Sequence, residues 1–156
     1  MSAMLYLDDL IIGQRFESGE VTLDAGAVRA FAREFDPQPF HLDEEAARVS
    51  LFGGLAASGW HTAALTMRLL VDSVPVAGGI IGAGCEIAWP HPARPGDTLS
   101  VTSEIVEVTP SRSRPDRGRV VVRSETLNQK GEVVQVLVAK LVVPRRVPLP
   151  EQVNDF

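Results

Sequence analysis

Ser58–Asp72 reads SGWHTAALTMRLLVD, and this stretch decides the architecture. Ser58 is predicted to cap a helix running to about Asp72, roughly 22 Å long at about 1.5 Å per residue. Trp60, Ala63, Ala64, Leu65, Met67, Leu69, Leu70 and Val71 leave that helix apolar nearly all round. Such a helix belongs in a core and needs cover on several sides. It is too short for a membrane span and carries Arg68 in its middle.

The cover lies downstream. From Gly79 onward, β-branched residues alternate with polar ones. Strands are predicted at Ile80–Trp89, Leu99–Val108, Arg119–Asn128 and Val133–Val143. Gln129–Glu132 reads as a hairpin turn joining the last two, and Pro95-Gly96-Asp97 as another turn. Upstream, Arg15–Thr22 reads as a short edge strand. Thr22 is predicted to cap a helix whose Val28, Phe31, Ala32 and Phe35 share one face. That helix stops before Pro37, because the residue before a proline avoids the α region. Asp43 caps a short helix, Glu44–Arg48, and Gly53 and Gly54 mark a turn. The tail beyond Pro144 is rich in proline and charge and is predicted to be loosely held. The expected fold is α+β: a curved antiparallel sheet wrapped around one long central helix.

The chain has 156 residues, 45% of them hydrophobic, enough for one domain with a real core. No internal repeat or linker divides residues 1–156. A net charge of -5 argues against a nucleic-acid partner. No leader-like start and a single cysteine, Cys85, point to a cytoplasmic protein without an internal disulfide. Cys85 falls in a strand pattern and is expected to be buried and inert.

The chemistry concentrates just before the long helix. In FDPQPFHLD, Asp36 stands five residues before His41, on a segment stiffened by Pro37 and Pro39. An acid and a histidine held this way suit general acid–base catalysis. The first backbone N–H groups of the following helix lack intrahelical partners and lie at its positive pole. Gly59 supplies one, with no side chain to block close approach. Together these groups form a site for chemistry on a carbonyl that gains negative charge. The bland readings are a helix cap for Asp43, an N-cap that also faces the pocket for Ser58, and core or pocket wall for Trp60 and Trp89. His61 and His91 lack any zinc-ligand spacing with His41, so no metal site is expected.

Four motifs together resemble the MaoC-like dehydratases, a family that includes the R-specific enoyl-CoA hydratases. They are Asp36 with Gln38-Pro39, His41 and Asp43; Ser58-Gly59 at the helix start; Pro92-Ala93-Arg94-Pro95-Gly96-Asp97 between two strands; and the run Ser111–Gly118. The resemblance covers about Asp9 to Val143. It departs from the family pattern in Gln38, where Asn is usual, in the added Pro37, and in Ser58-Gly59-Trp60, where His-Gly and a smaller residue are usual. These departures bear on pocket shape and leave the acid–base pair intact.

The resemblance implies a hotdog fold and reversible addition of water to a trans-2-enoyl-CoA thioester, with R stereochemistry. It implies Asp36 and His41 as the acid–base pair and the Gly59 amide as donor to the thioester oxygen. Gln38, Phe40, Ser58 and Trp60 would then shape the substrate pocket. No metal or redox cofactor is expected, coenzyme A being part of the substrate. The basic run Arg112, Arg114, Arg117 and Arg119 is either a solvated hairpin tip or a cradle for coenzyme A phosphates, which arginine forks match. The family resemblance also implies a homodimer formed edge to edge, with a trimer of dimers as a further assembly. Two rival functions stay open: an acyl-CoA thioesterase, and an acyl-CoA-binding subunit without activity.

Overall fold

Alternating apolar residues in the second half of the chain give one five-stranded antiparallel sheet in the computed structural model, which describes residues 3–146. The strands are β1 (Arg15–Thr22), β2 (Ile81–Ala88), β3 (Thr98–Pro110), β4 (Arg117–Leu127) and β5 (Val133–Pro144). Their spatial order is β1-β3-β4-β5-β2. Four helices precede β2: α1 (Ala25–Phe35), α2 (Pro39–Leu42), α3 (Glu44–Arg48) and α4 (Gly59–Ser73). A single 3-10 turn, Leu7–Asp9, opens the described chain.

The sheet cups α4 from one side. Leu69, Leu70 and Val74 pack against Val101, Ile105, Val120, Val122, Leu137 and Leu141. A second cluster, with Leu23, Val28, Ala47, Leu55, Leu99 and Val134 at its heart, sits under α1 to α3 and carries the loops of the candidate site. Fully burying each such leucine or valine stabilises the fold by about 1.5–3 kcal/mol. This is the hotdog arrangement, as the sequence pattern predicts.

Three expectations need correction. The cap of α1 is Asp24, whose Oδ1 accepts from Ala27 N at 2.8 Å. Thr22 instead ends β1 opposite Thr98, and Leu23 N still donates to Asp97 O. The helix cannot start until the chain has left the sheet. Second, α4 is not buried all round: Trp60, Met67 and Val71 are exposed, because the sheet covers only one side. Third, Cys85 is exposed, since β2 is an edge strand on which every residue from Ile81 to Glu86 is exposed.

The two edges differ. β1 carries Arg15, Glu17 and Glu20 and a register shift between the last two, features that blunt an edge against further pairing. β2 carries no charge from Ile81 to Cys85. At the other end of the chain, Arg145 pairs with Asp8 at 3.3 Å and Arg146 with Asp9 at 2.8 Å. Residues 144–146 are therefore held, and the rest of the predicted loose tail lies outside the described residues.

Candidate active site

α1 cannot continue past Asp36, because Pro37 follows, and the Asp36 N–H makes the last helical bond to Ala32 O at 2.9 Å. Pro39 then starts α2, a single turn that turns His41 inward. His41 is buried. Its Nδ1 donates to Ala56 O at 2.6 Å, since a carbonyl oxygen can only accept. Ala56 N returns a bond to Phe40 O at 3.2 Å. With Nδ1 committed, Nε2 faces Asp36 Oδ2 at 3.2 Å.

Gln38 Nε2 donates to the other Asp36 oxygen at 2.6 Å. Burial alone pushes the Asp36 carboxyl up. Hydrogen bonds from the Ser58 hydroxyl and the Gln38 amide, with the charge of His41, outweigh it and hold Asp36 below the usual carboxylate range. Asp36 is therefore an ionised carboxylate at neutral pH. Gln38, which the resemblance assigns to the substrate pocket, thus also acts on the acid itself.

Ser58 is fully buried and accepts from Trp60 N at 3.3 Å, which makes it both cap of α4 and neighbour of Asp36. No described residue accepts from the Gly59 N–H. The Trp89 indole lies over Gly59: a Cβ there would come within 2.6 Å of Trp89 Cε2. Trp89 Nε1 donates to the buried Gln135 Oε1 at 3.0 Å, and Trp60 meets the indole edge-on at 5.4 Å. Asp36, His41, Gln38, Phe40, Gly59 and Trp60 all line one cavity of about 730 Å³; Ser58, expected at the pocket, is fully buried and is not among its lining residues. Phe40 and Phe52, 5.0 Å apart and tilted, form its apolar wall beside His41.

The structure does not bring every candidate to this cavity. Arg112 and Arg114 sit on the β3–β4 connection and Arg117 opens β4, at the opposite end of the sheet. β3 alone spans roughly 40 Å at about 3.3 Å per residue. Arg117 pairs with Asp116 at 3.0 Å and Arg119 with Glu107 at 3.2 Å. Arg112 and Arg114 have no carboxylate partner among the described residues. Asp43 caps α3, accepting from Glu45 N at 3.2 Å. His61 stacks on Phe31 at 4.7 Å, and His91 contacts Val133 O. Among the described residues no cluster of His, Cys, Asp or Glu could hold a metal ion, and no helix is long and apolar enough to cross a membrane.

Sequence reading missed two contributors. The Ala56 carbonyl that orients His41 is a backbone group and leaves no side-chain signal. Arg94 was visible only as part of a turn motif, yet it is among the residues that line the cavity.

The family model for the MaoC like domain matches residues 10–128. The chain belongs to the MaoC-like dehydratase family. The matched residues of this MaoC-like chain include Asp36, His41, Ser58, Gly59 and Arg94, and end just past β4. A MaoC-like dehydratase from Rhodospirillum rubrum has the same fold, with a TM-score of 0.90 and 65% identity over 93% of this chain and 99% of that one. The uncharacterised protein YdeM of Bacillus subtilis is 35% identical over 80% of this chain and 88% of its own length. A 3-hydroxybutyryl-CoA dehydratase of Methylorubrum extorquens is 31% identical, over 71% of this chain and 70% of its own.

Proposed function

We propose that this MaoC-like protein adds water reversibly to a trans-2-enoyl-CoA thioester. The observation that carries the reading is the Asp36–His41 pair, 3.2 Å apart, at a cavity that Gly59 also lines, its N–H without an acceptor among the described residues. Ionised Asp36 takes a proton from water as the oxygen bonds to the β-carbon. His41 Nε2–H gives its proton to the α-carbon. The proton then passes from Asp36 to His41 across their shared contact, restoring both groups. Net, one water is added and no proton is gained or lost. Positioned acid–base groups of this kind contribute about 10² to 10⁴-fold. The Gly59 amide donates to the thioester oxygen as it gains charge; such a donor is worth about 3–4 kcal/mol.

The test is the ultraviolet absorbance of crotonyl-CoA with wild type, Asp36→Asn and His41→Ala. The expected result is loss of enoyl absorbance without thiol release, abolished in both variants. Thiol release would favour the thioesterase. Thermal stabilisation by coenzyme A esters with no turnover on any enoyl chain would favour the binding subunit.

The same reading pairs two copies through β2, the edge that is uncharged from Ile81 to Cys85. In an antiparallel β2–β2 contact, the Ile81 end of one copy lies beside the Ala88 end of the other. The second copy's arginine hairpin then comes to the end of the sheet that carries this site, where Arg112 and Arg114 would meet coenzyme A phosphates. Arg112→Ala with Arg114→Ala should raise KM for acyl-CoA and leave kcat intact. A monomer at micromolar concentration in sedimentation would contradict the pairing, and an unchanged KM the arginine role.

A further inference from the structure

The loop Ser50–Ala57 presents two groups that the site depends on: the Ala56 carbonyl, which fixes the His41 ring, and the entry to α4, where Gly59 sits. Its own backbone bonds are few. Gly53 turns it at a φ of +66°, and Ala56 N and Ala57 N bond outward to Phe40 O and Ala93 O. The carbonyls of three loop residues, Phe52, Gly54 and Leu55, all converge on one side chain, Arg94. Its Nη1 donates to Gly54 O at 2.8 Å and reaches Leu55 O at 3.4 Å, and its Nη2 donates to Phe52 O. A Cβ on Gly54 would just touch this guanidinium, at 3.4 Å.

Arg94 is itself fixed. Its N–H donates to Asp97 Oδ2 at 2.8 Å, and the other Asp97 oxygen accepts from Gln129 Nε2 at 3.0 Å. Asp97 is buried at a turn that Gly96 makes at a φ of +91°. No carboxylate lies within ion-pair reach of the Arg94 guanidinium among the described residues. A half-buried guanidinium satisfied by carbonyls alone spends its fork geometry on fixing backbone.

We infer that Arg94 is a positioning residue: by clamping Phe52, Gly54 and Leu55 it holds the next carbonyl, Ala56 O, against His41 Nδ1, and so keeps His41 Nε2 aimed at Asp36. The inference rests on the catalytic reading only for its kinetic consequence; the effect on the His41 ring stands apart from it. A displacement of the order of 1 Å in such a site costs about 10²-fold in rate.

The test uses the full chain with ¹⁵N-labelled histidine. Wild type, Arg94→Gln and Arg94→Lys are compared by imidazole NMR, with His41→Ala assigning the signal, and by crotonyl-CoA hydration. In wild type, the His41 Nδ1–H is expected as a hydrogen-bonded, slowly exchanging proton. In Arg94→Gln that signal should shift and exchange with water, and kcat should fall about 10²-fold with KM changed little. Arg94→Lys, which keeps charge and donors but cannot span three carbonyls, should fall between; it reads the same signal if the glutamine variant does not fold. An unchanged His41 signal in both variants overturns the inference whatever the activity. So does a rise in KM alone with the signal intact, which would mean direct contact with substrate. If wild type hydrates no enoyl-CoA, the proposed function fails, and the NMR comparison still decides the role of Arg94.

Discussion

Gly59→Ala tests how the start of α4 is packed beside the site. The added methyl would sit 2.6, 2.8 and 2.9 Å from Trp89 Cε2, Cζ2 and Cδ2, well inside contact distance, so the indole must move. Moving it breaks the bond from Trp89 Nε1 to Gln135 Oε1. Gln135 is 0% exposed and its Nε2 already lacks a partner, so the whole amide would then be buried and unpaired. Overpacking costs about 1–3 kcal/mol, and an orphaned buried acceptor about 1–3 kcal/mol. Two effects oppose these. Alanine is the better helix former, by up to about 1 kcal/mol. Trp89 is 41% exposed and has room to swing outward, which keeps the packing cost low in its range. The balance is a destabilisation of about 2 kcal/mol, or about 4–8 °C in melting temperature for a chain of this size. In a Trp89→Leu background the clash is gone, and the same Gly59→Ala change should cost less than about 0.5 kcal/mol. Thermal denaturation followed by tryptophan emission measures both arms. A Gly59→Ala variant that melts at or above wild type, with unchanged emission, would refute the packing of Trp89 on Gly59.

Other predictions concern groups around this centre. His61 is buried with Nδ1 unpaired, and burial holds its pKa below the ordinary 6.5, against a smaller pull upward from Asp24. A lowered folded pKa means that stability is full above pH 6.5 and falls as pH drops toward the folded value. His61→Phe, which keeps the stack on Phe31, should stabilise by about 1 kcal/mol at pH 7, and by more near pH 5, in denaturant titrations. Gly118→Ala in β4 would bring a Cβ to 2.7 Å from the Thr109 backbone oxygen and 2.6 Å from Leu7 Cδ2. Backbone cannot yield as an indole can, so urea titration should show a loss of about 3 kcal/mol or more. Gln38→Ala removes a 2.6 Å bond to the Asp36 carboxylate, so carbon NMR titration should find the Asp36 pKa moved upward. Since a depressed carboxylate pKa stabilises at pH above the unfolded value, that variant should lose stability above about pH 4, not below.

What the sequence made legible is what is local. Asp43 and Ser58 cap the helices they precede because a cap needs only its own next three residues. The Asp36 to His41 spacing was readable because two prolines and one helical turn fix it without help from the rest of the chain. Thr22 was misread as a cap because pairing with Thr98, 76 residues away, decides where β1 ends. Cys85 was misread as buried because strand periodicity does not say that β2 lies at an edge; that follows from β5 pairing with both β4 and β2. For the arginine run, charge and fork geometry left a solvated hairpin tip and a phosphate cradle both open, and only the sheet topology separates it from Asp36 by the length of β3.

The two halves of the site are held by different forces, and so should fail in different ways. Asp36 and His41 are fixed by polar bonds: Gln38 and Ser58 on Asp36, Ala56 O on His41, and Arg94 behind that carbonyl. Each bond has a direction, so losing one lets a ring or a carboxylate turn while the fold stands. The Gly59 amide is fixed by packing, with the Trp89 indole against it and the hydrophobic cluster of Leu55, Ala57 and Ala93 beneath. Packing has no direction, and its loss spreads to the end of α4. Both halves meet at Ser58, which caps the helix and hydrogen-bonds the acid. It is the residue through which displacement of either half reaches the other.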